Sequence, residues 1–351
     1  MKIRDVEIGS GRTYVVAEMA WSHDGKKELA LDIVRGTKQA GADCLSVHVT
    51  DVAAYMVPHY GSGEGRVSKG KESEQVFRYL DNVNIRTDWW PDIIAATRDA
   101  DLALAVMPND APSLEISRSF DPDLYVLSAA CFVEESFVRA VAREGKPVLL
   151  RVGGATLGEI ETVIGWLRAE HNESYIILYG QQNYPTRIED TDLLKLRTLA
   201  DTFGCPVGLA DHIDAEDPLC TQIPFMALPL GAQVIEKHIT HNRALKGEDH
   251  ESALNPDEFA DFVKRLRQAE LALGNPAFRG LSDSGRRYRQ VARKRVVAAR
   301  DIAQGTVLAD ADLTCKRADF GEFPDRLELL LGRVAGQDLL ANEGVTLSAL
   351  H

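Results

Sequence analysis

The sequence predicts an α/β fold in which a (β/α)8 barrel is followed by a small β-rich domain. Three observations support this prediction. Eight short apolar runs lie between residues 13 and 240. They alternate with stretches of helical period, the last of which ends near residue 273, and a different pattern of short β-like runs begins near residue 294. Eight β-then-α repeats within about 260 residues match the size of a (β/α)8 barrel.

The apolar runs are the candidate strands. They are rich in Val, Ile and Leu and lack strict polar alternation, which is typical of strands that are buried on both faces in a parallel sheet covered by helices. In chain order they read TYVVAEM, ADCLSVHV, ALAVM, LYVLSA, PVLLRVG, YIILYG, PVGLAD and AQVIEKHIT.

Helical segments lie between these runs, and several end in glycine just before the next strand, as helix C-termini often do. Examples are KELALDIVRGTKQAGA, SFVRAVAREG, LGEIETVIGWLRAEH and TDLLKLRTLADTFG. A doubly wound open sheet is the alternative, because it produces the same alternation of elements. In a barrel, catalytic groups are expected at the carboxyl ends of the strands.

The domain boundaries follow the change from alternating strand and helix patterns to short β-like runs. We assign residues 1–274 to the barrel, 275–293 to a linker that holds most of the basic run RRYRQVARKR (286–295), and 294–351 to the β-rich domain, with turns at Gly305, Gly332 and Gly344. The arginine run indicates either an element that binds a nucleotide or phosphate or, more commonly, a solvated helix or linker.

Composition limits the classes of function. The 351 residues carry 40 basic and 53 acidic side chains, a formal charge of −13, which argues against a general nucleic-acid binder. Five scattered cysteines without a C-x-x-C pair indicate neither a zinc knuckle nor a disulfide framework. The N-terminus has no secretory leader pattern, and no run approaches the ~20 apolar residues that span a bilayer. We therefore expect a cytoplasmic small-molecule enzyme with no membrane partner.

Two histidines each close an apolar run. His212 lies in GLADHID and His238 in VIEKHIT, 26 residues apart, which is about one β/α unit. Imidazole nitrogens suit transition-metal ions and leave positions for water and a substrate carbonyl. Asp211 and Glu236 flank the pair. The alternative is that each histidine is a hydrogen-bonded core residue or an acid/base group.

Carboxylates mark two further positions. Glu18 ends the first strand and could hold a substrate hydroxyl or accept a proton, or it could form a salt bridge. Asp249 and His250 lie in the polar loop KGEDHESALNP soon after the last strand and could line the same mouth.

Several of these segments resemble the sialic acid synthase family, which joins phosphoenolpyruvate to an amino-sugar aldehyde to make a nine-carbon keto acid. The resemblance runs nearly end to end. It is carried by VAEMAWSHDG, QAGADCLSV, KPVLLRVGGATLGEIE, NYPTRIEDTDLLKL, GLADHI, LGAQVIEKHIT, KGEDHESALNPDEF and VVAARDIAQGTVLADADLTCKR. It implies a TIM barrel with a C-terminal antifreeze-like (SAF) domain, in a domain-swapped homodimer whose small domain reaches over the partner's active site.

The resemblance also implies roles for individual residues. His212 and His238 match the ligands of a divalent metal, usually Mn²⁺, with Mg²⁺ or Co²⁺ as alternatives. Glu18 matches a carboxylate in the donor site. Glu236 and Asp249 match contacts to the acceptor, and Tyr184 matches a tyrosine of the pocket. Arg317 matches the arginine that the swapped domain contributes to its partner's site.

The chain departs from the family pattern in the donor site. A family lysine is replaced by Ser46 and a glutamine by His48, and a phosphate-binding serine is replaced by Arg151. The other departures are Val126, Ala129, Ala210, Gln181 and Gln182. We count His48, Arg151 and Gln182 among the candidate substrate-binding residues.

These changes bear on the donor's charge. Burying a phosphorylated donor requires several cations, because unpaired buried charge is costly. Two lysines are lost, while Arg151 could supply a bidentate fork and Lys69 or Lys71 could close over the mouth.

Three functions therefore remain open. The first is a sialic-acid-synthase-like transferase that condenses a three-carbon donor with a sugar aldehyde to give a 2-keto-3-deoxy acid. In the implied mechanism the metal polarises the aldehyde, C3 of phosphoenolpyruvate attacks it, and water adds at C2 before phosphate leaves. The second is a metal-dependent 2-keto acid aldolase or lyase with an unphosphorylated donor. The third is a sugar-binding relative without catalysis.

Overall fold

The computed structural model describes residues 1–60, 75–275, 277 and 280–351. The chain divides into two compact units, Met1–Gly274 and Asn275–His351. Lys69 and Lys71, the candidate lid lysines, lie outside the described residues.

The first unit is built on a closed barrel of eight parallel strands. A short antiparallel hairpin of β1 (Lys2–Ile3) and β2 (Val6–Glu7) precedes it. The last barrel strand pairs with the first, so the open doubly wound sheet is wrong and the (β/α)8 prediction is confirmed. The barrel strands are β3 (Tyr14–Glu18), β4 (Cys44–Val49), β5 (Ala103–Pro108), β6 (Leu124–Ser128), β7 (Val148–Arg151), β8 (Tyr175–Tyr179), β9 (Val207–Asp211) and β10 (Ala232–His238).

Helices connect the strands and cover the barrel. They are α1 (Lys27–Ala40), α2 (Val52–Tyr55), α3 (Val76–Val83), α4 (Trp90–Asp99), α5 (Ala111–Arg118), α6 (Glu135–Arg143), α7 (Leu157–Ala169), α8 (Lys195–Phe203), α9 (Gln222–Ala227) and α10 (Pro256–Leu273). Local sequence sets several of their ends. Thr156 and Glu159 form a capping box at the start of α7, and Gly41 ends α1 in the left-handed conformation.

Alternation along each strand sorts the barrel residues into two cores. Inward-facing side chains form one apolar cluster that includes Val16, Met107, Val126 and Ala210. Outward-facing side chains of the same strands pack with the helices in a second cluster. Because successive side chains of a strand point to opposite faces, each polar residue near a strand end belongs to one of these two environments.

The second unit has its own small core. Helix α11 (Asp283–Ala292) lies in the segment expected as a linker and is followed by the antiparallel pair β11 (Lys294–Ala298) and β12 (Leu313–Arg317). Part of the basic run packs locally, because the guanidinium of Arg295 lies 3.8 Å from the centre of the Phe323 ring. The buried core residues are Val296, Ala298, Ile302, Leu308, Leu313, Leu330, Ala335, Leu339, Val345 and Leu350.

Among the described residues, none of the helices combines the length and the apolarity that crossing a bilayer would require.

Candidate active site

Strand register gathers a polar cluster at the carboxyl end of the barrel. In the pairing of β10 with β3, His238 lies opposite Glu18, and Glu236 lies opposite the inward-facing Val16. Glu236 and His238 are two residues apart and so share the inner face, whereas Lys237 between them points outward. All of these side chains are buried.

The two histidine rings lie side by side. Their centroids are 5.1 Å apart, and the ring of Tyr184 packs edge-on against both, at 4.7 Å from His212 and 5.4 Å from His238. The Nδ1 atom of His212 lies 2.7 Å from the carbonyl oxygen of Gln181. Since a carbonyl only accepts, Nδ1 donates its hydrogen there, and the lone pair of Nε2 remains available.

Both imidazoles are neutral and available for coordination. His212 Nε2 and both ring nitrogens of His238 have no hydrogen-bond partner among the described residues. Burial, together with the charge of Arg151, lowers the pKa of His212 to about 3. Burial and the adjacent His212 ring lower the pKa of His238 well below its ordinary value. Unpartnered neutral imidazoles in a buried site are the donor set that a divalent transition ion requires.

The protein's own ligand set is small. Among the residues that the structure describes, no group of three or more His, Cys, Asp or Glu side chains is arranged to hold a metal ion. An ion at His212 and His238 would therefore take its other ligands from water or substrate.

Arg151 crosses the barrel interior and binds two carboxylates. Its Nη2 group donates to Glu18 and, at 2.8 Å, to Glu236, while Nε donates to Glu236 at 3.1 Å. The third nitrogen, Nη1, lies 3.4 Å from both His48 Nε2 and the sulfur of Met107. The expected free fork for a phosphate is thus already engaged, because two buried carboxylates need a counter-charge.

This cluster sets the charge states of the two acids. Burial alone would raise the pKa of Glu18, but Arg151 and His48 bring it below the ordinary value. Burial raises the pKa of Glu236 to about 7 in spite of the attraction of Arg151. Burial also lowers the pKa of His48 to about 4, so this imidazole is neutral near neutral pH.

The sequence matches the NeuB family over residues 33–277 and the SAF domain over residues 293–351. The chain belongs to the NeuB family. Its resemblance to sialic acid synthases is therefore confirmed.

Named relatives of this NeuB-family chain include nonulosonate synthases. It is 29% identical over 340 residues to a pseudaminic acid synthase of Campylobacter jejuni, covering 95% of this chain and 96% of the relative. An N,N'-diacetyllegionaminic acid synthase of the same species is 24% identical, covering 95% and 98%. The fold matches that of the N-acetylneuraminic acid synthetase of Leptospira borgpetersenii, at a TM-score of 0.70 and 22% identity, over 83% of this chain and 96% of that one.

The remaining candidate residues fall into two groups. Near the histidines, the hydroxyl of Tyr184 lies 2.9 Å from Gln182 Oε1, while Gln182 Nε2 is buried without a partner among the described residues. Asp249 is buried, which with the neighbouring Glu248 raises its pKa well above the ordinary value. Arg317 lies in the second unit, where it is exposed and donates to the carbonyl of Val291 at 3.0 Å.

The structure also reassigns two polar residues and adds a third. Asp211, which flanks His212, faces outward and pairs with the buried Lys237 instead of joining the mouth. His250 Nε2 is 3.0 Å from the hydroxyl of Thr240, as expected for a structural histidine. Sequence reasoning missed Ser128, which lies opposite Arg151 in the β6–β7 pairing. Its signal was the one that identified the histidines, a polar residue closing an apolar strand.

Proposed function

We propose that this NeuB-family chain is a synthase that joins a three-carbon donor to the aldehyde carbon of an amino sugar, giving a 2-keto-3-deoxy acid. The observation that carries the proposal is the buried pair His212 and His238, whose ring centroids lie 5.1 Å apart at the carboxyl end of the barrel and whose nitrogens, His212 Nε2 and both of His238, have no hydrogen-bond partner among the described residues. Relatives with synthase names that align over nearly their whole length support the same kind of reaction.

A divalent ion at the two histidines is part of the proposal. When bound, the ion would supply Lewis acidity toward a carbonyl oxygen. Mn²⁺ is the proposed ion, with Co²⁺ and Mg²⁺ as alternatives to be compared. The carbonyl of Gln181 fixes the tautomer of His212, which keeps Nε2 as the coordinating atom.

The protein groups around the histidines bind and orient the substrates. Tyr184 covers both imidazoles with its ring, which limits the access of water. Glu236 and Asp249 are proposed to accept hydrogen bonds from sugar hydroxyls, and His48 and Gln182 to contact the donor. With phosphoenolpyruvate as donor, the electron pair of its C2=C3 double bond forms the bond from C3 to the aldehyde carbon, while the aldehyde π bond breaks and its oxygen takes up a proton. Water adds at C2, and phosphate leaves as its bond to C2 breaks and the ketone forms.

We extend the proposal to the assembly. The match of residues 293–351 to the SAF domain supports a domain-swapped homodimer in the cytoplasm, in which Arg317 reaches the partner's site. The exposure of Arg317 on the second unit is consistent with that role.

The test is a product search. Purified protein is incubated with a panel of amino-sugar aldehydes, with phosphoenolpyruvate or pyruvate, and with Mn²⁺ or a chelator, and new keto acids are identified by mass spectrometry. We expect a product with three carbons more than the acceptor, lost with chelator and in His238→Ala. The exposed variant His171→Asn is the matched control, since Asn tolerates the left-handed backbone of that residue. Metal-dependent sugar binding without any product across the panel would refute catalysis and support a sugar-binding role.

A further inference from the structure

Arg151 spans the barrel and fixes one oxygen of Glu236. Its strand, β7, lies four strands away from β3 in either direction around the closed ring, so β3 and its neighbour β10 stand on the far side of the barrel. Arg151 donates twice to Oε2 of Glu236, from Nη2 at 2.8 Å and from Nε at 3.1 Å. Two charged donors on one acceptor oxygen fix the position of that oxygen and restrict rotation of the carboxylate.

The second oxygen of Glu236 is available to a ligand. Oε1 is buried and makes no hydrogen bond among the described residues. Buried polar atoms are nearly always hydrogen-bonded, so an exception requires a partner such as a bound molecule or water. Glu236 and His238 are two residues apart on β10, and their side chains share the inner face. A molecule bound beside the histidines can therefore supply the missing hydrogen bond.

The guanidinium of Arg151 is itself held by residues of three other strands. Nη2 also donates to Oε2 of Glu18 on β3, while Nη1 lies 3.4 Å from both His48 Nε2 on β4 and the sulfur of Met107 on β5. Oε1 of Glu18 accepts the backbone N–H of Ala20 at 2.7 Å, which fixes this carboxylate in turn. The side chain of Arg151 is 1% exposed, so bulk water does not compete for these contacts.

The contacts require the planar fork of an arginine. A lysine ammonium is a compact charge on a flexible stem, and it cannot make the two donations to Glu236 while also contacting Glu18 and His48. The sequence pattern of the family has a serine at this position, whose short side chain cannot cross the barrel. The hold on Glu236 is thus a feature of this chain.

From this geometry we propose that Arg151 is a positioning residue for the acceptor. It holds Oε2 of Glu236, so that Oε1 accepts a hydrogen bond from a hydroxyl of the bound amino sugar. This inference rests on the proposed function and adds a residue that does not itself contact the sugar. A carboxylate fixed before the sugar arrives loses little conformational freedom on binding, and the hydrogen bond to the sugar is correspondingly stronger.

A double-mutant cycle on sugar binding tests the coupling. N-acetylmannosamine, N-acetylglucosamine and glucosamine are titrated calorimetrically into the Mn²⁺-loaded protein, and the sugar that binds most tightly is used for the variants. Glu236→Gln keeps an oxygen for Arg151 and replaces the free oxygen by an amide N–H group. We expect it to weaken sugar binding on the order of tenfold or more, because a hydrogen bond to a charged group is typically worth that factor.

Arg151→Lys keeps the positive charge and removes the fork, and we expect a loss of sugar affinity on the same order. The double variant should bind the sugar about as weakly as the weaker single variant, because Arg151 acts through Glu236. A purely structural arginine would lower stability without making the two effects on sugar affinity non-additive. Multiplicative effects, an unchanged affinity in Arg151→Lys, or no binding of any of the three sugars would overturn the inference.

Arg143→Lys is the matched control. Arg143 is exposed and holds Glu170 by two hydrogen bonds of 2.9 Å on the outside of the barrel. The same exchange there breaks a similar fork far from the mouth and should leave sugar affinity unchanged. An equal loss of affinity in this control would overturn the inference, because the effect would not be specific to Arg151.

A structure of the complex keeps the inference testable if Arg151→Lys does not fold. In crystals of the wild-type protein with Mn²⁺ and the same sugar, we expect a sugar hydroxyl about 3 Å from Oε1 of Glu236, with Oε2 still bound by Arg151. A sugar hydroxyl bound directly to Arg151, or an Oε2 atom released from it, would overturn the positioning role.

Product analysis separates this inference from the proposed function. Keto acid formed by the wild type, together with unchanged sugar affinity in Arg151→Lys, would support the synthase and overturn the positioning role. Non-additive losses of sugar affinity without a keto acid product from any acceptor would refute the synthase and support the positioning role of Arg151.

Discussion

The buried pair of Lys237 and Asp211 offers a direct test of how strand alternation divides the barrel. The two residues lie opposite one another in the pairing of β10 with β9, and their side chains are 0% and 1% exposed. Lys237→Met keeps the aliphatic stem and removes the ammonium, so the carboxylate of Asp211 stays buried without its cation. Breaking a buried pair in this way costs about 3–5 kcal/mol of the free energy of unfolding.

Replacing both partners should restore most of this loss. Asp211→Asn keeps an oxygen for the backbone N–H of Ile213, which lies 3.3 Å from Oδ1. The double variant with Lys237→Met contains no buried charge at this position, and such exchanges are often neutral or stabilising. We therefore expect the double variant to be more stable than Lys237→Met alone. Its donor and metal affinities should match those of the wild type, because both side chains face away from the site.

Urea unfolding followed by tryptophan fluorescence measures these differences. The four tryptophans, at positions 21, 89, 90 and 166, all lie in Met1–Gly274, so their signal reports on the barrel alone. Asp261→Asn, which breaks the half-exposed pair with Arg265, is the control and should cost at most about 1 kcal/mol. A loss below about 1 kcal/mol in Lys237→Met, or a double variant no more stable than the single one, would refute the reasoning.

Three further outcomes are expected. His238→Ala should weaken Mn²⁺ binding by more than the ~10–100-fold typical of outer-shell residues, with His171→Asn unchanged in the same calorimetric titration. Tyr184→Phe should keep the Mn²⁺ affinity, because the ring still packs against both imidazoles. It should lower kcat, because Gln182 loses its 2.9 Å hydrogen bond to the tyrosine hydroxyl. An unchanged kcat would contradict a role for that hydroxyl. Thr156→Ala should cost about 1 kcal/mol of barrel stability through the lost capping box of α7, and urea unfolding that shows no loss would speak against this cap.

The fold could be predicted from the sequence because both faces of a barrel strand are buried. Continuous apolar runs marked all eight strands, from β3 to β10, and their number together with the chain length favoured closure. Helix α11 was expected only as one of two possibilities, a solvated helix or a linker. It has no buried residue, so it lacks the apolar stripe from which a helix is recognised.

Only part of the site could be predicted from the sequence. Polar residues that close apolar strands identified Glu18, His212 and His238. The same criterion also selected Asp211, because only the register decides which face a side chain takes. The partners of Arg151 were beyond sequence reasoning, since its contacts to Glu18 and Glu236 join residues 133 and 85 positions apart across the barrel.

The two ion clusters of β10 show why neighbouring residues have separate functions. On the outer face, the charges of Lys237 and Asp211 cancel in a buried ion pair. On the inner face, Arg151 contacts two carboxylates, and once Glu236 is ionised, above its pKa of about 7, one of the two charges is uncompensated beside two neutral imidazoles. The inner face therefore attracts a cation and repels an anion until that cation is bound. Donor affinity must then increase with metal occupancy, and by reciprocal linkage the donor must strengthen metal binding by the same factor.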